Sequence, residues 1–148
     1  MPELGTSRKL ASFVLDASVA AKWFNNENLT DRAIKVRDAF VKGKVELYSP
    51  EHLIYEVGNA IWKNKEIGVE NCASAITTLI DIDINLIKLD SSLASQSIKT
   101  ARNLQVSYYD AVYVQLSSQL DIPLLTADEK LISRIKNDHN CLHLKDFE

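Results

Sequence analysis

The sequence contains few of the residues that usually interrupt or crosslink a chain. Its 148 residues include only four glycines, three prolines and two cysteines. The scarcity of glycine and proline favours helices and strands joined by short connections over long irregular loops. Cys72 and Cys141 form no metal or redox motif, so we interpret them as free thiols in a reducing compartment. This usage predicts a cytoplasmic protein.

Long apolar stretches are also missing. No run approaches the roughly 20 apolar residues that span a bilayer, and residues 1–9 lack the apolar segment of a secretory signal. We therefore expect no membrane association, and we expect one domain over residues 1–148 with a polar N-terminal tail at residues 1–9. The net charge of −3 is unlike that of a general nucleic-acid binder, which is usually basic. It does not exclude nucleic-acid binding, because a metal ion inverts the local field of an acidic site.

Short apolar runs alternate with longer segments of helical period. This pattern predicts an α/β fold with a central parallel sheet covered on both faces by helices. Three helix starts are predicted from local sequence: Ser49 followed by Pro50, Ser107 as an N-cap, and Thr126 with Glu129 as a capping box. The strands are predicted at residues 10–15, 45–48, 85–89, 123–125 and 141–144.

Four carboxylates lie beside or within these apolar segments, where burial costs free energy. Asp16 and Asp128 each follow a predicted strand, Asp110 interrupts an aromatic stretch, and Glu56 lies within a helical pattern. Ligands of parallel sheets bind beyond the carboxyl ends of the strands. We therefore expect Asp16 and Asp128 to lie at the same, ligand-binding edge of the sheet.

Each acid also has an ordinary structural explanation. Asp16 can cap a helix, Asp110 can pair with Ser107 in a capping box, and Asp128 can be a first-turn acid that the helix dipole stabilises. Glu56 can be a solvated residue on a polar stripe. Taken together, however, carboxylates held close to one another repel unless a cation intervenes. Mg²⁺ or Mn²⁺ suits such a set of oxygen ligands.

Four stretches in order carry a resemblance to a known family. They are Val-Leu-Asp-Ala-Ser-Val at residues 14–19, the segment at residues 50–62, Tyr-Tyr-Asp-Ala-Val-Tyr at residues 108–113, and Leu-Leu-Thr-Ala-Asp at residues 124–128. With these stretches the chain resembles PIN-domain proteins, specifically the toxin-type ribonucleases of the VapC family. The resemblance covers nearly the whole chain and implies a three-layer α/β/α fold.

The resemblance also implies an activity and a site. It implies an endoribonuclease that hydrolyses RNA phosphodiester bonds with Mg²⁺ or Mn²⁺, forms a homodimer, and pairs as a toxin with a small antitoxin protein. The implied catalytic and metal-binding residues are Asp16, Glu56, Asp110 and Asp128. The implied supporting residues are Ser18, Asn59 and Thr126.

Two other functions remain open from the residues. A non-catalytic PIN-like module that binds RNA or protein would be expected to lose one or more of the acids, and all four are present. A phosphatase with an aspartyl nucleophile usually has a second acid two residues after the first, where this chain has Ser18. The histidines have no zinc-like spacing with the cysteines, and we interpret them as surface or strand-end residues. Lys22, Lys63 and Lys65 are candidate phosphate contacts.

Overall fold

A computed structural model describes residues 10–135 and 139–148. The expected polar tail at residues 1–9 and the expected end of the last helix at Lys136 lie outside the described residues. In order, the chain forms β1 (Ala11–Leu15), α1 (Ala17–Ala20), α2 (Thr30–Val41), β2 (Val45–Pro50), α3 (Leu53–Lys63), α4 (Val69–Ile82), β3 (Asn85–Ile87), α5 (Ser91–Leu104), α6 (Tyr108–Leu120), β4 (Leu124–Thr126), α7 (Glu129–Ile135) and β5 (Cys141–His143). Short 3₁₀ helices follow at Ala21–Trp23 and Leu144–Asp146.

The five strands form one parallel sheet in the order β3-β2-β1-β4-β5. Strands β2 and β3 are added in turn on one side of β1, and β4 and β5 are added in turn on its other side. The strand order therefore reverses between β1 and β4, and such a switch point is where α/β sheets bind ligands. The predicted parallel sheet is confirmed.

Helices cover both faces of the sheet. Val14 and Leu15 of β1 are fully buried, as expected for a central strand with helices above and below it. Helix α2 packs on β2, while α6 packs on β1, β2 and β4 and carries α5 on its outer side. Right-handed crossovers place the helices that follow β1 and β2 on the face opposite α5 and α6. The three-layer α/β/α architecture is confirmed, and no helix in the described ranges is long and apolar enough to cross a membrane.

The predicted helix start at Ser49 and Pro50 is wrong. Both residues belong to β2, and α3 begins only at Leu53. The Ser49 hydroxyl is buried and donates to the Leu15 carbonyl of the neighbouring strand at 2.9 Å, so it serves the sheet rather than a helix end.

The two other predicted helix starts have different outcomes. Ser107 caps α6 as predicted, because its hydroxyl accepts the Asp110 backbone N–H at 3.1 Å. The Thr126–Glu129 capping box is wrong, because Thr126 is the last residue of β4. The cap of α7 is Asp128, whose Oδ1 accepts the Leu131 N–H at 3.1 Å.

Candidate acidic active site

Asp16 is the most firmly held of the four acids. It directly follows β1, and its backbone N–H donates to the Leu125 carbonyl of β4 at 3.0 Å. Its carboxylate is buried, with only 5% of the residue exposed. Oδ2 accepts hydrogen bonds from Ser18 Oγ at 2.6 Å and Thr126 Oγ1 at 2.7 Å. Burial raises the pKa of Asp16 and the charge of Asp128 adds to the rise, while the two hydroxyls lower it.

The buried Thr126 hydroxyl links two of the acids. It donates to Asp16 and accepts the backbone N–H of Asp128 at 3.0 Å. The Ser18 hydroxyl makes a parallel link, because it donates to Asp16 and accepts the Ala127 N–H at 2.9 Å. Two side chains therefore tie the segment after β4 to the carboxylate after β1.

Glu56 reaches the site from the helix layer. It lies in the first turn of α3 and is half-buried. Its Oε1 accepts a hydrogen bond from the hydroxyl of Tyr113, a fully buried residue of α6, at 2.7 Å. Burial raises the pKa of Glu56 and the charge of Asp16 adds to the rise, while the Tyr113 hydrogen bond lowers it.

Asp110 shows that the four acids share one electrostatic environment. It lies in the first turn of α6 and is partly buried. Burial raises its pKa to about 6, and the charges of Asp16, Asp128 and Glu56 contribute to the rise. The charges of the three other acids thus reach Asp110, and the capping roles of Ser107 and Asp128 coexist with this.

Sequence reasoning missed two residues beside the acids, Tyr113 and His52. His52 Nε2 lies 3.8 Å from Glu56 Oε1, and its ring contacts that of Tyr113 edge-on at a centroid distance of 4.7 Å. Burial lowers the pKa of His52 below its ordinary value. The four-residue spacing between His52 and Glu56 was the available signal, since residues so spaced meet on a helix. His52 lies two residues after the end of β2 and is half-buried, and His143 ends β5, so both fit the expected strand-end positions.

For four other candidates we observe no contact with the four acids within the described residues. Asn59 is exposed and makes no side-chain hydrogen bond within the described residues. Lys22 Nζ pairs with Glu27 Oε1 at 3.3 Å, and Lys65 Nζ lies 5.4 Å from the centroid of a Trp62 ring. For Lys63 we observe no contact with an acid in the part of the chain that the structure describes. A supporting role for Asn59 stays a prediction.

The donor set fits a hard divalent cation, although it is not a closed cage. Within the described ranges, no three His, Cys, Asp or Glu side chains form a ready-made metal cluster. Mg²⁺ does not need one, because it commonly keeps several waters and takes one or two carboxylates from the protein. The acids supply only oxygen ligands. The pKa values of Asp16, Glu56 and Asp110 are each raised in part by the charge of another acid, which shows negative charge that a cation would offset.

Comparison with known proteins places the chain in a family. Residues 13–137 match the family model described as PIN domain. The chain belongs to the PIN domain family. Among curated relatives, exonuclease VapC9 of Pyrobaculum aerophilum is 26% identical over 99 residues, which are 67% of this chain and 74% of the relative.

Two further matches extend the comparison. Ribonuclease VapC1 of Mycobacterium tuberculosis is 34% identical over 86 residues, which are 56% of this chain and 63% of the relative. This chain thus spans less than two thirds of VapC1. The crystal structure of VapBC2 from Rickettsia felis, bound to a DNA fragment from the promoter of that pair, matches with a TM-score of 0.67. At 13% identity, covering 89% of this chain and 98% of the other, that match shows the shared fold.

Proposed function

We propose that this PIN-domain protein is a metal-dependent endoribonuclease that hydrolyses RNA phosphodiester bonds, as the toxin of a toxin–antitoxin pair. The observation that carries the proposal is the buried carboxylate of Asp16, held by two hydroxyls within the field of three other acids. Burying so much like charge is costly, and a cation at the site offsets that cost. The names of the VapC relatives, an exonuclease and a ribonuclease, support a nuclease activity.

Asp16 and Asp128 are the residues we assign to direct contact with Mg²⁺ or Mn²⁺, because both follow strands at the switch point of the sheet. Asp110 would hold the ion directly or through water, and Glu56 would bind it through water or orient the attacking water. When bound, such an ion lowers the pKa of a coordinated water and offsets negative charge on the reacting phosphate.

The remaining residues position the acids. Ser18 and Thr126 hold Oδ2 of Asp16 with two hydrogen bonds. Tyr113 holds Oε1 of Glu56 from the buried side. Hydrogen bonds to metal-binding carboxylates fix the orientation of the ligand and tune its affinity.

A small antitoxin and a second copy of the chain are the proposed protein partners. The VapBC2 match supports an antitoxin, because that structure holds a protein pair on the promoter DNA. The homodimer rests on the family resemblance. In this proposal the antitoxin tail blocks the acidic site, which gives the pair its regulation. A non-catalytic PIN-like module is the alternative function, and retention of all four acids counts against it.

The test is cleavage of a labelled linear single-stranded RNA and of its circular form. We expect both to be cut with Mg²⁺ or Mn²⁺, excess chelator to stop cleavage, and added Mn²⁺ to restore it. Cleavage of the linear RNA alone would identify an exonuclease, and cleavage that survives the chelator would contradict metal dependence.

Asp16→Asn provides the matching test of the site. We expect it to reduce cleavage by about 1,000-fold or more, because loss of a metal ligand removes several kcal/mol of transition-state stabilisation. Asp31→Asn is the control, since it makes the same chemical change at an exposed position in α2. Undiminished cleavage by Asp16→Asn would refute the proposed site.

A further inference from the structure

A small apolar cleft lies beside the acidic site. Its volume is about 220 Å³, and it is bounded by the first turns of α3 and α6 and by residues at and just after the ends of β2 and β3. Drug-sized ligands usually occupy sites of roughly 300–1,000 Å³. The cleft therefore suits a smaller group, such as a single planar ring system.

Two tyrosines that line this cleft are largely exposed. Tyr55 is 79% exposed and Tyr109 is 61% exposed. Neither hydroxyl makes a hydrogen bond within the described residues. Tyr108, which also lines the cleft, differs because its hydroxyl donates to the Ala94 carbonyl at 3.1 Å. Tyr108 thus fastens α6 to α5, whereas Tyr55 and Tyr109 offer unoccupied aromatic surface.

The cleft and the carboxylates share a wall. Tyr109 directly precedes Asp110 in the first turn of α6. The His52 ring lies 5.7 Å from the Tyr109 ring, and His52 Nε2 lies 3.2 Å from the Tyr109 carbonyl oxygen. The same Nε2 is 3.8 Å from Glu56 Oε1. A strand of RNA with a phosphate at the acids therefore has a neighbouring base within reach of the cleft.

We propose that this cleft binds one nucleobase of single-stranded RNA, next to the cleaved phosphodiester, by stacking on Tyr109 and Tyr55. The inference rests on the proposed ribonuclease function and adds a substrate subsite to it. Single-stranded RNA is the form whose unstacked bases can stack on aromatic side chains. A chain of net charge −3 gains little from general attraction to phosphates, and stacking needs no positive charge.

Kinetics with Tyr109→Leu and Tyr55→Leu test the subsite. Leucine keeps an apolar side chain but removes the flat ring. We expect each variant to raise KM for a short single-stranded RNA about tenfold, with kcat changed by less than about twofold, because the loss of one base stack weakens binding by about this much. Tyr109→Phe should behave like the wild type. Trp62→Leu is the matched control, since Trp62 is an exposed aromatic residue of α3 that lines a different groove.

RNAs with one abasic nucleotide locate the stacked base. We expect removal of the base at one position beside the cleavage site to raise KM about tenfold for the wild type. The same abasic RNA should have little further effect on Tyr109→Leu, because the variant has already lost the partner. Equal sensitivity of variant and wild type at every position would overturn the proposal, as would an unchanged KM in both leucine variants.

Binding without metal separates this subsite from the proposed catalysis. If the wild type does not cleave RNA, 2-aminopurine is placed at each position and its fluorescence is measured in the presence of chelator. Quenching at one position by the wild type, and not by Tyr109→Leu, supports the subsite even where the proposed catalysis has failed. Quenching at no position overturns it. A changed sedimentation coefficient for the leucine variants also overturns it, since the cleft would then be an interface between copies of the chain.

Discussion

The acidic site has two halves that are built differently. In the strand half, Asp16 and Asp128 follow β1 and β4, and the Thr126 hydroxyl joins them. In the helix half, Glu56 and Asp110 come from α3 and α6, and a single phenol, that of Tyr113, supports the first of them. The strand half is tied by backbone and hydroxyl hydrogen bonds, and of the four acids it alone contains a buried carboxylate, that of Asp16.

This difference indicates that the two halves have different roles. Asp16 has one position, because the strand ladder, Ser18 and Thr126 all restrain it. Side chains on the surface of two separate helices have more freedom, and they can adjust when a cation or a phosphate arrives. We infer that the strand half sets the place of the ion and that the helix half completes its coordination. Four substitutions test this contrast.

Thr126→Val should weaken metal binding most among the supporting residues. Valine matches the shape of threonine, but it removes the donor to Asp16 Oδ2 and the acceptor of the Asp128 N–H. We expect Mn²⁺ affinity, measured by calorimetry, to fall about 10- to 100-fold. Thr126→Ser keeps the hydroxyl and serves as the control. A valine variant with wild-type affinity would show that the strand half is not the fixed half.

Tyr113→Phe should have a smaller effect, with a signature in the pH profile. Loss of the hydrogen bond removes an interaction that lowers the pKa of Glu56, so the pKa of Glu56 rises further. We expect RNA cleavage to fall about three- to tenfold near pH 6 and less at pH 8, because less Glu56 is ionised at the lower pH. Tyr108→Phe makes the same change in the same helix away from an acid. A pH profile that superimposes on the wild type would contradict the role of Tyr113.

The strand half could be predicted from the sequence, whereas the support of the helix half could not. The pattern of an apolar strand followed by an acid correctly predicted that Asp16 and Asp128 lie at the same edge of the sheet. The carboxyl ends of parallel strands meet at one edge. The Tyr113–Glu56 hydrogen bond joins residues 57 positions apart on two helices, and no local pattern encodes it. It depends on how α3 and α6 pack.

The wrong helix starts have a related cause. Ser49 and Thr126 both look like helix caps in isolation. In the fold, both hydroxyls are buried. Ser49 donates to a carbonyl of the neighbouring strand and Thr126 donates to Asp16, so neither hydroxyl caps a helix. Cap signals near strand ends are therefore ambiguous until the sheet order is known. Ser107, which follows a loop, caps its helix as predicted, and the structure shows that Asp90 caps α5 in the same way.

Asp110→Asn should stabilise the metal-free protein in a pH-dependent way. The pKa of Asp110 is about 6 in the fold against an ordinary value of 3.8, so the folded state binds the proton more tightly than the unfolded state. The wild type therefore loses stability as the pH rises through this range. We expect the variant to be about 1 kcal/mol more stable than the wild type at pH 7.5 with chelator, after allowance for solvent screening of a partly exposed group.

Chemical denaturation at two pH values measures this effect. At pH 4 the two proteins should unfold at nearly the same denaturant concentration, because the wild-type carboxyl is then protonated in the fold. Added Mn²⁺ should stabilise the wild type more than the variant, since binding to the folded state adds stability by mass action. A variant that is less stable than the wild type at pH 7.5 would show that Asp110 is held as firmly as Asp16.

Asn59→Ala should have the smallest effect of the four. Asn59 lies one helical turn after Glu56, but its amide is exposed and bonds to none of the acids. We expect Mn²⁺ affinity to change by less than about twofold, whereas Ser18→Ala, which removes a direct donor to Asp16, should lower it about tenfold. An equal loss in both variants would mean that Asn59 moves to the ion on binding. The helix half would then move on ion binding beyond the adjustment of Glu56 and Asp110. The two halves would differ in how far they move as well as in how their acids are held.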